Sequence, residues 1–140
     1  MTGAHRIVVA VDESEGAARA LRFVAEVAPR LGADVIVVHA LGLLAHLGGP
    51  NAVPAQSHRD EVSALLDRWA APLEGAGVTY RCLLVDGNPV QALLAAANEA
   101  DADIIVVGKR ATGGVPGLQL GSTSQQLVQH SAIPVVVVPS

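Results

Sequence analysis

Apolar positions along this chain fall into two alternating patterns: short unbroken runs, and longer stretches at helical spacing. Ile7 to Val11 is the first run, stopped by Asp12, and an uninterrupted run of this length suits a strand buried on both faces. Ala17, Leu21, Val24, Ala25, Ala28 and Leu31 then recur on one helical face, while Glu15/Arg19 and Glu26/Arg30 stand four apart in the favourable acid-first order. Pro29 lacks an amide hydrogen and loosens the last turn of that helix, and Gly32 is its stop signal. Val35 to His39 is the second strand.

Leu41 to Gln56 is irregular, with Gly42, Gly48, Gly49, Pro50, Asn51 and Pro54, and a loop of that length in a compact domain is usually functional or mobile. It is the candidate lid or partner surface. His58 to Glu74 reads as a second helix with Val62, Leu65, Leu66 and Trp69 on one stripe, closed by Gly75 and Gly77. Val78 to Val85 supplies a third strand. Asn88 then caps a helix with Pro89 at its first position, ending near Ala100. Ile104 to Val107 is a fourth strand, Gly108 to Leu120 a glycine-rich loop, Gly121 to His130 a short helix and Ile133 to Val138 a fifth strand. Strict alternation of strands and helices predicts an α/β fold, a doubly wound five-stranded parallel sheet with helices on both faces. A sheet of this kind takes its ligand beyond the carboxyl ends of the strands, where strand order reverses.

Composition narrows the picture. At 140 residues the chain fits a single domain spanning 1–140, and its 51% hydrophobic content suits a sheet covered on both sides. A net charge of −4 offers a nucleic acid no attraction, and Phe23, Trp69 and Tyr80 form no base-stacking platform. Cys82, the single cysteine, reads as a small buried hydrophobe in a strand and excludes any disulfide within the chain. The apolar run after His5 and Arg6 is too short for a signal peptide or a membrane span, so a cytoplasmic protein without membrane attachment is expected.

Candidate chemistry lies in two places. Asp12 ends the first strand and Gly108 follows the fourth, positions that flank the crevice of a doubly wound sheet. A carboxylate there accepts two hydroxyl hydrogen bonds, as a ribose diol offers; alternatively Asp12 caps the first helix in an Asp-x-x-Glu box with Glu15. The second place runs from Gly108, Lys109, Arg110 and Ala111 to Gly121, Ser122, Thr123 and Ser124. Glycines admit an anion close to backbone amides, the helix opening at Gly121 directs N–H groups at it, and Lys109 and Arg110 are the chain's adjacent cation pair. The alternative is a loose surface loop ending in a serine cap. Neither the Walker A nor the dinucleotide glycine pattern is present, the histidines at 5, 39, 46, 58 and 130 have no metal-ligand spacing, and no Gly-x-Ser-x-Gly elbow occurs.

Three segments make the chain resemble the universal stress protein family over nearly its whole length: IVVAVDES from Ile7 to Ser14, VIVVHA from Val35 to Ala40, and the closing stretch from Val106 to Pro139. ATP-binding families of this kind carry Gly-x2-Gly-x9-Gly-Ser/Thr. The spacing is kept here by Gly108, position 111, Gly121 and Ser122, with Ala111 in place of the second glycine. If that position needs positive φ the alanine is costly, and if it needs only close approach a small shift suffices. The resemblance implies an adenine nucleotide alpha hydrolase-like, Rossmann-like fold, with Asp12 on the ribose and backbone near Val11 and Ala40 on the adenine. It places Gly108, Ala111 and Gly121 to Ser124 around the phosphates. It also implies a regulatory stress-response protein that binds ATP, with or without magnesium, and hydrolyses it little or not at all. AMP and cyclic AMP are alternative ligands. A nucleotide-free interaction module is the alternative function, and a homodimer through Ile133 to Val138 is the expected assembly.

Overall fold

A computed structural model of the chain describes residues 5–40, 55–109 and 122–139. The strands are β1 (His5–Ala10), β2 (Ala33–Ala40), β3 (Tyr80–Val85), β4 (Ile104–Gly108) and β5 (Val135–Val138). The helices are α1 (Glu15–Leu31), α2 (Ala55–Trp69), α3 (Ala71–Gly75), α4 (Pro89–Glu99) and α5 (Ser122–His130). All strand pairings are parallel, in the order β3-β2-β1-β4-β5. From β1 the chain moves outward through β2 to β3, then returns to lay β4 on the other side of β1. Strand order therefore reverses between β1 and β4, as a doubly wound sheet requires.

The unbroken apolar runs are explained by two cores. Ile7, Val9, Val35, Val37 and Val106 pack with Leu21, Val24 and Ala28 of α1, and with Leu66 and Leu73 of α2 and α3. The alternate residues Val8, Ile36, Val38, Ile105 and Val107 pack with Leu93 and Ala97 of α4 and Leu127 of α5. Successive side chains of a strand point to opposite faces, so a strand covered on both sides must be apolar at every position.

Several boundaries differ from the sequence reading: β1 starts at His5, β2 runs longer at Ala33–Ala40 and β3 starts later, at Tyr80, and three further differences have a local reason. The segment expected as one helix from His58 to Glu74 starts earlier, at Ala55, and is divided into α2 and α3. Pro72 sits in the first turn of α3, where its missing amide hydrogen is tolerated, so the helix restarts there after Trp69. Strand β5 begins at Val135, because Pro134 has no N–H to give to a ladder; its carbonyl accepts from Ile105 N at 2.9 Å. Val11 lies just past β1, although its amide still donates to Val38 O at 3.0 Å. Pro29 is accommodated inside α1, and Gly32 closes that helix in the left-handed conformation at φ 62°, its N–H directed at the carbonyls of Ala28 and Pro29. The expected lid from Leu41 to Gln56 falls outside the described residues except for its last two positions, which open α2.

Candidate functional site

The carboxyl end of β1 leads into a turn built from Asp12 and Ser14. Asp12 Oδ1 accepts the Ser14 amide hydrogen at 2.7 Å, and Ser14 Oγ accepts from Ala17 N at 3.1 Å. Ser14, buried and extended, is thus the cap of α1, and the Asp12–Glu15 capping box is not what the structure shows. Asp12 instead closes a tight Asx turn on the helix cap, leaving its half-exposed carboxylate at the mouth of the sheet.

Both backbone groups of Val11 are engaged. Its amide donates to Val38 O, and its carbonyl accepts from His39 Nδ1 at 2.7 Å. His39, at the end of β2, also packs against Trp69 of α2, ring centroids 5.4 Å apart and planes tilted by 58°. Ala40, which ends β2 beside Val85 of β3, is half-buried one strand further out.

Gly108 ends β4 and lies against the first turn of α1. A methyl group built on it would meet Gly16 O at 2.5 Å and Gly16 C at 2.6 Å, so glycine is required here by the backbone of α1. The Gly108 carbonyl accepts from Ser124 Oγ at 2.6 Å, and the Lys109 amide donates to Val138 O at 2.8 Å. Ser124 is buried in α5, so its hydroxyl hydrogen ties the start of α5 to the end of β4. Ser122 is exposed and Thr123 half-buried in the same first turn of that helix.

The structure therefore gathers Asp12, Val11, Gly108, Lys109, Ser122, Thr123 and Ser124 around the carboxyl ends of the two strands where order reverses. Arg110, Ala111 and Gly121 lie outside the described residues. His39 and Gly16 were missed by sequence reasoning. Gly16 carried a signal, since a glycine in the first turn of an amphipathic helix costs stability and so points to a close approach. His39 carried a weaker one, a polar residue closing an apolar run.

Away from this crevice, burial pushes the Cys82 thiol up from its ordinary range, and the carboxylate of Asp67 adds to the shift. Among the described residues no group of three or more histidine, cysteine or carboxylate side chains is placed to hold a metal ion. No described helix is long and apolar enough to cross a membrane.

A sequence model of the universal stress protein family matches residues 3–139. The chain belongs to the universal stress protein family. It is 37% identical over 133 residues to a Thermus aquaticus universal stress protein encoded in the 3' region of the QAH/OAS sulfhydrylase gene, covering 94% of this chain and 96% of that one. Among solved structures it is similar to a universal stress protein in complex with cAMP, at 27% identity, 98% coverage of both chains and a TM-score of 0.73. It is also similar to the Archaeoglobus fulgidus universal stress protein in complex with dAMP, at 28% identity, a TM-score of 0.72, and 95% and 96% coverage of this chain and that one. These likenesses share the parallel α/β architecture derived above.

Proposed function

We propose that this universal stress protein binds an adenine nucleotide in the crevice between the loops after β1 and β4, and that occupancy there sets its shape or its partners. The observation that carries this reading is the meeting of the Asp12 turn with the Gly108–Ser124 junction where strand order reverses. In this role the Asp12 carboxylate accepts ribose hydroxyls, and the first turn of α5, with Ser122 and Thr123, faces the phosphates. The two similar structures solved with cAMP and dAMP support adenine and ribose as the recognised parts.

ATP is the proposed ligand, because Lys109, just past β4, and Arg110, next to it in the sequence, add two positive charges that a polyphosphate would need. Magnesium would arrive on the phosphates. Hydrolysis is proposed to be slow or absent, in keeping with an Asp12 carboxylate that accepts from the Ser14 amide and is given to the ribose end of the ligand. A monophosphate is the second reading, favoured by the two similar structures, whose ligands each carry a single phosphate. The proposed setting is the cytoplasm, in keeping with a chain that has one cysteine and cannot form an internal disulfide.

Calorimetric titration of nucleotide-free protein with ATP, ADP, AMP and cyclic AMP tests this directly. Micromolar ATP binding, tighter than AMP, with phosphate release at the background rate supports the ATP reading. Tighter binding of AMP or cyclic AMP selects the second. No binding of any of the four at millimolar concentration refutes both and leaves the nucleotide-free interaction module.

A further inference from the structure

The hydrogen bond from His39 to Val11 reaches the proposed ribose-binding residue through one peptide unit. The Val11 carbonyl and the Asp12 amide lie in a single rigid plane. A donor that holds that carbonyl therefore fixes the plane from which Asp12 departs, and with it the direction of the carboxylate. The donor here is His39 Nδ1, 2.7 Å from Val11 O. A carbonyl only accepts, so the ring must carry hydrogen on Nδ1. Protonation at Nε2 leaves that hydrogen in place, and the link holds in either charge state. On its other side the imidazole is packed against Trp69, which restricts rotation of the ring. The Asp12 carboxylate is steadied in turn by the Ser14 amide at 2.7 Å. The result is a continuous path from α2 through His39 and the Val11–Asp12 peptide to the cap of α1.

We infer that His39 is a positioning residue for nucleotide binding: it sets the orientation of the Val11–Asp12 peptide and so presents the Asp12 carboxylate to the ribose hydroxyls. This rests on the reading above that Asp12 meets the ribose. A pre-set carboxylate loses less freedom on binding than a mobile one, and that difference appears as affinity.

The test uses the full chain, stripped of nucleotide, and whichever of ATP, AMP and cyclic AMP binds the unaltered protein most tightly. His39→Phe keeps a ring against Trp69 and removes the donor, and is expected to weaken binding about tenfold, the effect of losing roughly one hydrogen bond's contribution. His39→Asn returns an N–H near the position of Nδ1 and is expected to stay within about twofold of the unaltered protein. In an Asp12→Ala background, His39→Phe is expected to cost almost nothing further, because there is no carboxylate left to orient. Equal affinity in the unaltered and His39→Phe proteins overturns the inference, as does the same loss in both backgrounds. Long-range proton–nitrogen spectra of the unaltered protein give a check that needs no variant: hydrogen on Nδ1 is expected, and a neutral ring protonated only at Nε2 overturns it. An unaltered protein that binds none of the three nucleotides would instead refute the proposed function itself, a result separate from any failure confined to His39.

Discussion

A methyl group on Gly108 would sit 2.5 Å from the Gly16 carbonyl oxygen, nearer than unbonded atoms approach, and the obstacle is helix backbone that cannot swing aside. Gly108→Ala should therefore push α1 away from β4 and destabilise the fold by about 1–3 kcal/mol, measured by urea unfolding. At Asp12 two roles can be separated. Asp12→Asn keeps an oxygen to accept from Ser14 N, whereas Asp12→Ala removes both that acceptor and the charge. The asparagine variant should keep native stability but bind nucleotide more weakly, and the alanine variant should lose on the order of 1–3 kcal/mol of binding. Unchanged nucleotide affinity in Asp12→Ala would exclude the ribose role. The position of Asp12 at the end of a buried strand was legible in the sequence. Its partner was not, because Asp12 and Ser14 are both capping types two residues apart, and only the geometry shows which closes the helix. Likewise the hydroxyls of Ser122, Thr123 and Ser124 look equivalent as letters. Burial and the 2.6 Å bond to Gly108 O single out Ser124 as a tie between elements.

Among the elements, α1 shows how a sequence blemish is absorbed. Pro29 removes one amide donor near the helix end, where the remaining turn is closed by Gly32 at φ 62° with nothing near its missing side chain. Gly32→Ala should thus cost only the conformational strain, about 1 kcal/mol, and leave nucleotide affinity unchanged; thermal unfolding and calorimetry together check this. Strand β3 carries the half-buried Cys82, whose thiol is pushed up by burial first and by Asp67 second. Less thiolate at a given pH means slower alkylation, so Cys82 should react with iodoacetamide more slowly in folded than in unfolded protein at pH 8. Equal rates would contradict that environment. The strands were the most legible elements, since runs apolar at every position leave little choice but double burial. The division between α2 and α3 was less so, because Pro72 lies within an amphipathic stripe whose apolar spacing continues across the break.

At the scale of the molecule, strand order β3-β2-β1-β4-β5 is what turns separate motifs into one crevice. Alternation of elements in the sequence predicted a parallel sheet, but which strands are neighbours depends on where the chain reverses, and that is set by packing between elements distant in sequence. β5 lies at one edge of the sheet, and pairing of two copies along Ile133 to Val138 remains the proposed assembly. Light scattering at micromolar concentration should then report twice the chain mass, with Val137→Pro shifting it towards the monomer. The location of the nucleotide is tested best by recording backbone amide spectra while AMP and ATP are added to nitrogen-labelled protein. Saturable shifts should concentrate at residues 11–14, 39–40, 108–109 and 122–124, which follow or end β1, β2 and β4 and open α5. Shifts confined instead to the opposite end of the sheet, around Arg6, Arg81 and Glu99, would contradict a crevice built on Asp12 and Gly108.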